Sequence, residues 1–390
     1  LTGELYDHLI AVIVVSVLFL AAVVAVPNMS YVNLLYMDQQ QLRNIALNTL
    51  KTMLLDAGYP ANWGLTSNFD PDQVERFGLA LASSSSFYVL DPNKVQRLVV
   101  GNPAGFIEYE DIRTKLKIEG YGFNFRIVPP FKVIVNGEDF GDDDNPISLQ
   151  DLVEGVEVLV TYNDGSPIPK ASVEATLVYV FENDKDSFYT VKARNNTDAV
   201  GKCIIKPDIT GDPNDISDFI IVFKATVADM TTVTSSYMEG FNQQHVMNAS
   251  IVGENITLRI PEGPGWEKDS AGTRWVDNVI IVSEDGVWSI YNGTRSNEDK
   301  ITWGGGNWGW SRLFSGLSSY NPLFIIFNLS VPNPRRLVLF LGPEPNWTGS
   351  RVEAYGDPTG AGGASSAVRV QRNVIISGMT YIAELTLWKE

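Results

Sequence analysis

The chain opens on a long stretch without polar punctuation. From Leu9 to Val26 no residue is charged, a length close to the ~20 residues a helix needs to cross a bilayer. A surface helix of a globular core shows a polar face, and this run shows none. After Pro27 the pattern changes. Val32, Leu35, Leu42, Ile45, Leu50, Met53 and Leu54 recur near a helical period, with Gln39–Gln41, Arg43, Asn44 and Asn48 between them. Gly58 and Pro60 are stop signals. The pattern predicts a helix to Ala57, roughly 85 Å long at 1.5 Å per residue. Its first half is apolar on every side and its second half amphipathic, with Pro27 a candidate kink.

Residues 58–130 read as a mixed linking region. Helical patterns cover Asp70–Ala82, Asp91–Val99 and Tyr109–Ile118, and Asp70 and Asp91 each precede a proline, a helix-start signal. "GYGFNFRIVPP" then reads as a strand. Over 131–240, "FKVIVNG", "VEVLVTY", "ASVEATLVYVF", "FYTVKA", "GKCIIKP" and "DFIIVFKATV" alternate or run apolar between turn-rich breaks, which predicts a β-sandwich. Over 241–390, "NITLRIP", "WVDNVIIVS", "GVWSIYNG", "LFIIFNLSV", "RRLVLFLGP", "SAVRVQRNVIIS" and "TYIAELTLW" predict a second sandwich or jelly roll. The expected class is α+β: a long N-terminal apolar α-helix (1–57), the linking region, and a head of two β-sandwich-type domains.

Composition narrows the chemistry. A length of 390 residues is enough for two or three domains. The net charge of −17 argues against nucleic acid, whose phosphates require a basic footprint. Cys203 is the single cysteine, so an intrachain disulfide and a cysteine-based metal cluster are excluded. His8 and His245 are the only histidines. Nucleophile elbow, phosphate-binding loop, dinucleotide fingerprint and metalloprotease motif are all missing from the sequence, and neither cofactor nor enzymatic activity is expected. Asn-x-Ser/Thr sequons start at Asn28, Asn195, Asn248, Asn255, Asn292, Asn328 and Asn346. All but Asn28 are candidate glycosylation sites of an exported glycoprotein.

The start of the chain, "LTGELYDHLIAVIVVSVLFLAAVVAV", has acidic flanks and no Lys or Arg before Arg43. A secretory signal peptide needs a basic leader region and a small-residue cleavage site instead. The segment resembles the mature N-terminus of archaeal type IV pilins. That resemblance implies a leader removed by a prepilin peptidase, and an apolar segment kept first as membrane anchor and then as filament core. Bacterial members carry a single glutamate close to the mature start, where this chain has Glu4 and Asp7. The assembly candidates are Leu1, whose α-amine Glu4 or Asp7 of a neighbouring copy would neutralise, Val17 at mid-run, and Pro27. "DGSPIPKASVEATL" resembles the opening of bacterial Ig-like and carboxypeptidase-regulatory-like domains, spacers and adhesion modules.

The expected function is therefore a structural one: the subunit of an extracellular type IV pilus-like filament serving adhesion. Its partners would be copies of itself in a helical homopolymer, the membrane before assembly, the prepilin peptidase and pilus assembly machinery, and surface glycans. The alternative is a single-span membrane-anchored adhesin or binding receptor. Trp303, Trp308 and Trp310 in "ITWGGGNWGWSRLF" form a candidate sugar-stacking platform, weighed against simple core packing. Asp139–Pro146 is acidic enough to attract Ca²⁺, but it lacks EF-hand spacing and reads more simply as a solvated loop. Cys203, in an alternating strand, is expected to be a buried thiol.

Overall fold

The computed structural model describes residues 2–66, 69–98, 105–136, 146–184, 187–238, 248–261, 275–283, 286–304, 307–317, 322–330, 336–341, 353–356 and 367–390. At 2–9, 11, 21–37, 248–250, 259–261, 302–304, 307–308, 322–323, 336–341 and 353–356 only the backbone is described.

Helix α1 spans Thr2–Leu55 and runs through Pro27. From Leu42 onward it is amphipathic in fact as in pattern. Leu42, Ala46, Thr49, Leu50, Met53 and Leu54 are buried, while Gln41, Arg43, Asn44, Asn48 and Lys51 are exposed. The three- and four-residue spacing puts the buried set on one stripe. That stripe lies on two strands from the far end of the chain, β19 (Ala367–Ile376) and β20 (Met379–Lys389). These pair into one antiparallel sheet in the order β18 (Glu353–Gly356), β1 (Tyr121–Val128), β20, β19. Residues of β1, β19 and β20 join α1, Trp63, Phe77 and Leu79 in one core.

A second core joins two sheets over 131–238. One has the order β2 (Lys132–Val135), β4 (Val156–Thr161), β7 (Lys202–Ile205). The other has the order β3 (Pro146–Ile147), β9 (Met230–Met238), β8 (Ile216–Val227), β5 (Ser172–Phe181), β6 (Tyr189–Asn196). A third core lies between the sheet β10 (Asn248–Val252), β11 (Asn255–Pro261), β15 (Asn307–Leu313), β14 (Thr302–Gly304) and the sheet β13 (Val287–Asn292), β12 (Trp275–Ser283), β16 (Pro322–Ser330), β17 (Arg336–Leu341).

The cores are not separate. β5, β8, β12 and β16 are buried on both faces. Val178, Val180, Ile220, Val222, Ile280, Val282, Phe324 and Ile326 belong to the core that also holds α1. β17 lies against β8, and β20 against β9.

The α+β expectation is thereby corrected. Among the described residues strands outnumber helical positions, and the strands form five small sheets. The head is not two free-standing sandwiches. Its last three described strands join the sheet of β1, with β18 and β20 pairing β1 directly and β19 pairing β20, and the β5–β8 and β12–β16 sheets share a core through their second faces. The expectation of a long apolar N-terminal helix is corrected as well: among the described residues no helix is long and apolar enough to cross a membrane.

The linking region also departs from expectation. Asp70 caps only a single 3₁₀ turn, Pro71–Gln73, in place of a helix over Asp70–Ala82. The backbone beyond it runs extended along the end of α1, where Leu79 N–H donates to Met53 O (2.8 Å) and Ala80 N–H to Asp56 O (3.0 Å). Bonds to another element replace the helical ladder. Asp91 caps the short α2 (Pro92–Val95), and α3 spans Tyr109–Leu116.

Candidate assembly surface

Nine consecutive residues, Val12–Leu20, lie exposed on α1, with Ile10 just before them. The large apolar ones, Ile10, Val12–Val15 and Val17–Leu20, are 50% to 70% exposed. Nine consecutive positions cover more than two turns, so every side of the helix is bare. Fully burying one Val, Leu, Ile or Phe side chain stabilises by about 1.5–3 kcal/mol. Covering this stretch is therefore worth on the order of 10 kcal/mol or more before ordering costs. An apolar stripe is satisfied by one neighbouring surface, whereas a rod bare on all sides needs to be surrounded.

The other end of α1 is fixed to the head with unusual closeness. Gly78 passes so near the helix end that a Cβ there would sit 2.2 Å from Asp56 O. Gly58, at φ +76°, passes 2.6 Å from Arg76 O on the same measure. Lys94 is fully buried, and its ammonium donates to Ala57 O (2.9 Å) and Ala80 O (2.8 Å), with the Asp91 carboxylate at 3.7 Å. Burial lowers its pKa, and the charges of Asp91 and Asp56 partly oppose that shift. Arg97, also fully buried, donates to Gly64 O, Gly105 O and Thr66 O and lies over the Phe69 ring at 4.9 Å. Desolvation brings its pKa down to about 10. Two buried cations thus satisfy carbonyls where the end of α1, a loop and an extended segment meet. Sequence reasoning passed over both. The available signal was the pair of cations in "NKVQRLVV", a stretch that ends apolar.

The sequence-derived candidates fall as follows. Val17 is within the exposed stretch. Glu4, Asp7 and Pro27 lie on the backbone of α1 with side chains outside the described ones, and Leu1 is outside the described residues. Asn195 and Asn292 are exposed, and Asn255 is half-buried, its amide donating to Ser311 Oγ at 3.1 Å. Asn248 is described by backbone alone, and Asn346 lies outside the described residues. Asn328 is corrected: it is 0% exposed on a central strand, and no glycan fits on it in this fold. Trp310 is corrected too. It is buried against Tyr291, Phe314 and Phe327, and its Nε1 donates to Glu298 O at 3.2 Å, so it is core and not a stacking platform. Trp303 and Trp308 sit opposite each other in the β14–β15 register, with side chains outside the described ones. The acidic stretch 137–145 and His245 are outside the described residues. Cys203 is buried, and burial, helped by Asp198, pushes its thiol up to about 11. Among the described residues no three His, Cys, Asp or Glu side chains group as metal ligands would.

A scan against protein-family models matches none of them to this chain, and a search of curated proteins finds none significantly similar.

Proposed function

We propose that this chain is the structural, non-enzymatic subunit of an extracellular type IV pilus-like filament that serves adhesion. Copies assemble by bundling the bare stretch of α1 around Val17, and the β-rich head forms the outer layer that meets surface glycans. The observation that carries the reading is the exposure of Ile10 and Val12–Leu20 on all sides of a helix whose other end is stitched to the head. Each copy can supply what the others lack, because a bundle surrounds every member. The prepilin peptidase, the assembly machinery and a membrane-anchored precursor belong to the same reading through the N-terminal resemblance. The rival reading, resting on the N-terminal sequence pattern alone, is a single-span membrane-anchored adhesin or binding receptor.

Val17→Asp tests the filament reading. It places one unpaired charge inside every bundle, where it costs several kcal/mol per subunit. The filament reading expects polymer to disappear while the chain is still exported. Wild-type yield of fibres from Val17→Asp would refute it.

A further inference from the structure

Asn328 lies where a polar side chain has least reason to be. On β16 the residues Ile325, Phe327 and Leu329 enter the core with Trp310. Phe324 and Ile326 point the other way, into the core shared with Val178, Val180, Ile220 and Val222 of β5 and β8. Strand alternation puts Asn328 on that second face. Its neighbours in register are Asn278 on β12 and Leu337 on β17. It is 0% exposed, and neither its Oδ1 nor its Nδ2 has a hydrogen-bond partner. An orphaned buried amide opposes the state that buries it. Asn328-Leu329-Ser330 is also a complete sequon.

A sugar on Nδ2 and the closed seam between these two sheets cannot coexist, since packed interiors hold few voids larger than a water molecule. We propose that Asn328 is a modification site of the undocked chain alone. It takes an oligosaccharide before the β12–β16 sheet closes on the β5–β8 sheet, and the attached glycan then keeps the seam open. The donor is a lipid-phosphate-linked oligosaccharide. The amide nitrogen attacks its anomeric carbon, the new C–N bond replaces the C–O bond to phosphate, the phosphate departs with the electron pair, and the amide gives up one proton to a base. The inference rests on the exported-glycoprotein part of the proposed function.

The test is site-by-site glycopeptide mass spectrometry of the full chain from an N-glycosylating host, after separating protease-resistant from protease-sensitive molecules. Asn195 and Asn292 should be occupied in both fractions. Asn328 should be bare in the resistant fraction and occupied in the sensitive one. Ile326→Asp, which puts a charge into the seam, should raise Asn328 occupancy several-fold toward that of Asn195, whether it opens the seam or unfolds the chain. Asn328→Leu removes orphan and sequon together and should raise the folding equilibrium constant about tenfold. Occupancy of Asn328 in resistant molecules, no rise in Ile326→Asp, or an Asn328→Leu chain no more stable than wild type would each overturn the proposal. Bare Asn195 and Asn292 would instead sink the glycoprotein reading, and this proposal with it.

Discussion

Replacing Lys94 with Met probes the attachment of α1 without changing the size of the side chain. Met fills the channel of the lysine stem but donates nothing, so Ala57 O and Ala80 O lose their shared donor at 2.9 and 2.8 Å. Each buried carbonyl left unpaired costs about 1–3 kcal/mol. Removing a fully buried ammonium returns part of that, because its desolvation is no longer required. The net loss should be about 2–4 kcal/mol. Asp91 stays capped to the Asn93 N–H at 2.9 Å, so α2 should persist. The charge also has a pH signature. Its folded pKa lies below the ordinary lysine value, so the unfolded chain holds more protons between the two. Wild type should gain stability from this group as pH rises through that window toward 10.5, and Lys94→Met should lack the gain. Urea titration gives the free energy, and amide hydrogen exchange at Leu79 and Ala80 locates it. Lys51→Met, on the exposed face of α1, is the control and should stay within about 0.5 kcal/mol. A Lys94→Met midpoint equal to the control's, with Leu79 and Ala80 still fully protected, would refute the reasoning.

Gly78→Ala should be worse than ordinary overpacking, at about 3 kcal/mol or more, because its new methyl meets the fixed Asp56 carbonyl and not a flexible side chain; thermal melting checks it, and a shift under 1 °C would contradict the contact. Cys203 holds its proton up to about pH 11 against 9.0 unfolded, so it contributes up to about 3 kcal/mol below pH 9 that is lost as pH rises through 11. Thiol labelling at pH 8 should therefore be slow until denaturant is added, and rapid labelling of the native chain would contradict this burial. Trp310→Ala should cost about 3–5 kcal/mol by opening the core beside Phe327 and Tyr291. Glycan-array binding per folded molecule should not change with it, and a loss of sugar binding at unchanged stability would restore the platform reading.

Much of the local structure could be read from residue types. β2 and β7 alternate cleanly because only one face of their sheet is covered, and Asp-Pro pairs start three of the short helical turns. The bare segment of α1 follows directly from a run with no polar side. What escaped was decided at long range. β9 reads "MTTVTSSYM", and its buried Thr232, Thr234 and Ser236 hide a core strand behind polar residues. The pairing of β1 with β20 joins Phe125 to Leu385 across most of the chain, and nothing local marks it. Asn328 shows the limit most plainly, since a sequon is a three-residue pattern while its burial depends on a neighbouring sheet. Trp310 belongs to the same class: an aromatic in a Gly-rich segment looks available until the strands around it close. Lys94 and Arg97 were legible as oddities but not as partners, because the carbonyls they bond belong to turns that only the fold brings near.

In the proposed filament, copies of this chain cover one another's α1. Electron microscopy of material sheared from expressing cells without detergent, with antibody to the β-rich head, tests it most directly. Regular fibres decorated along their whole length are expected, with Val12–Leu20 of every copy in the innermost layer of a helical reconstruction. Decorated membrane fragments or amorphous aggregates, with no fibre carrying the label, would contradict it.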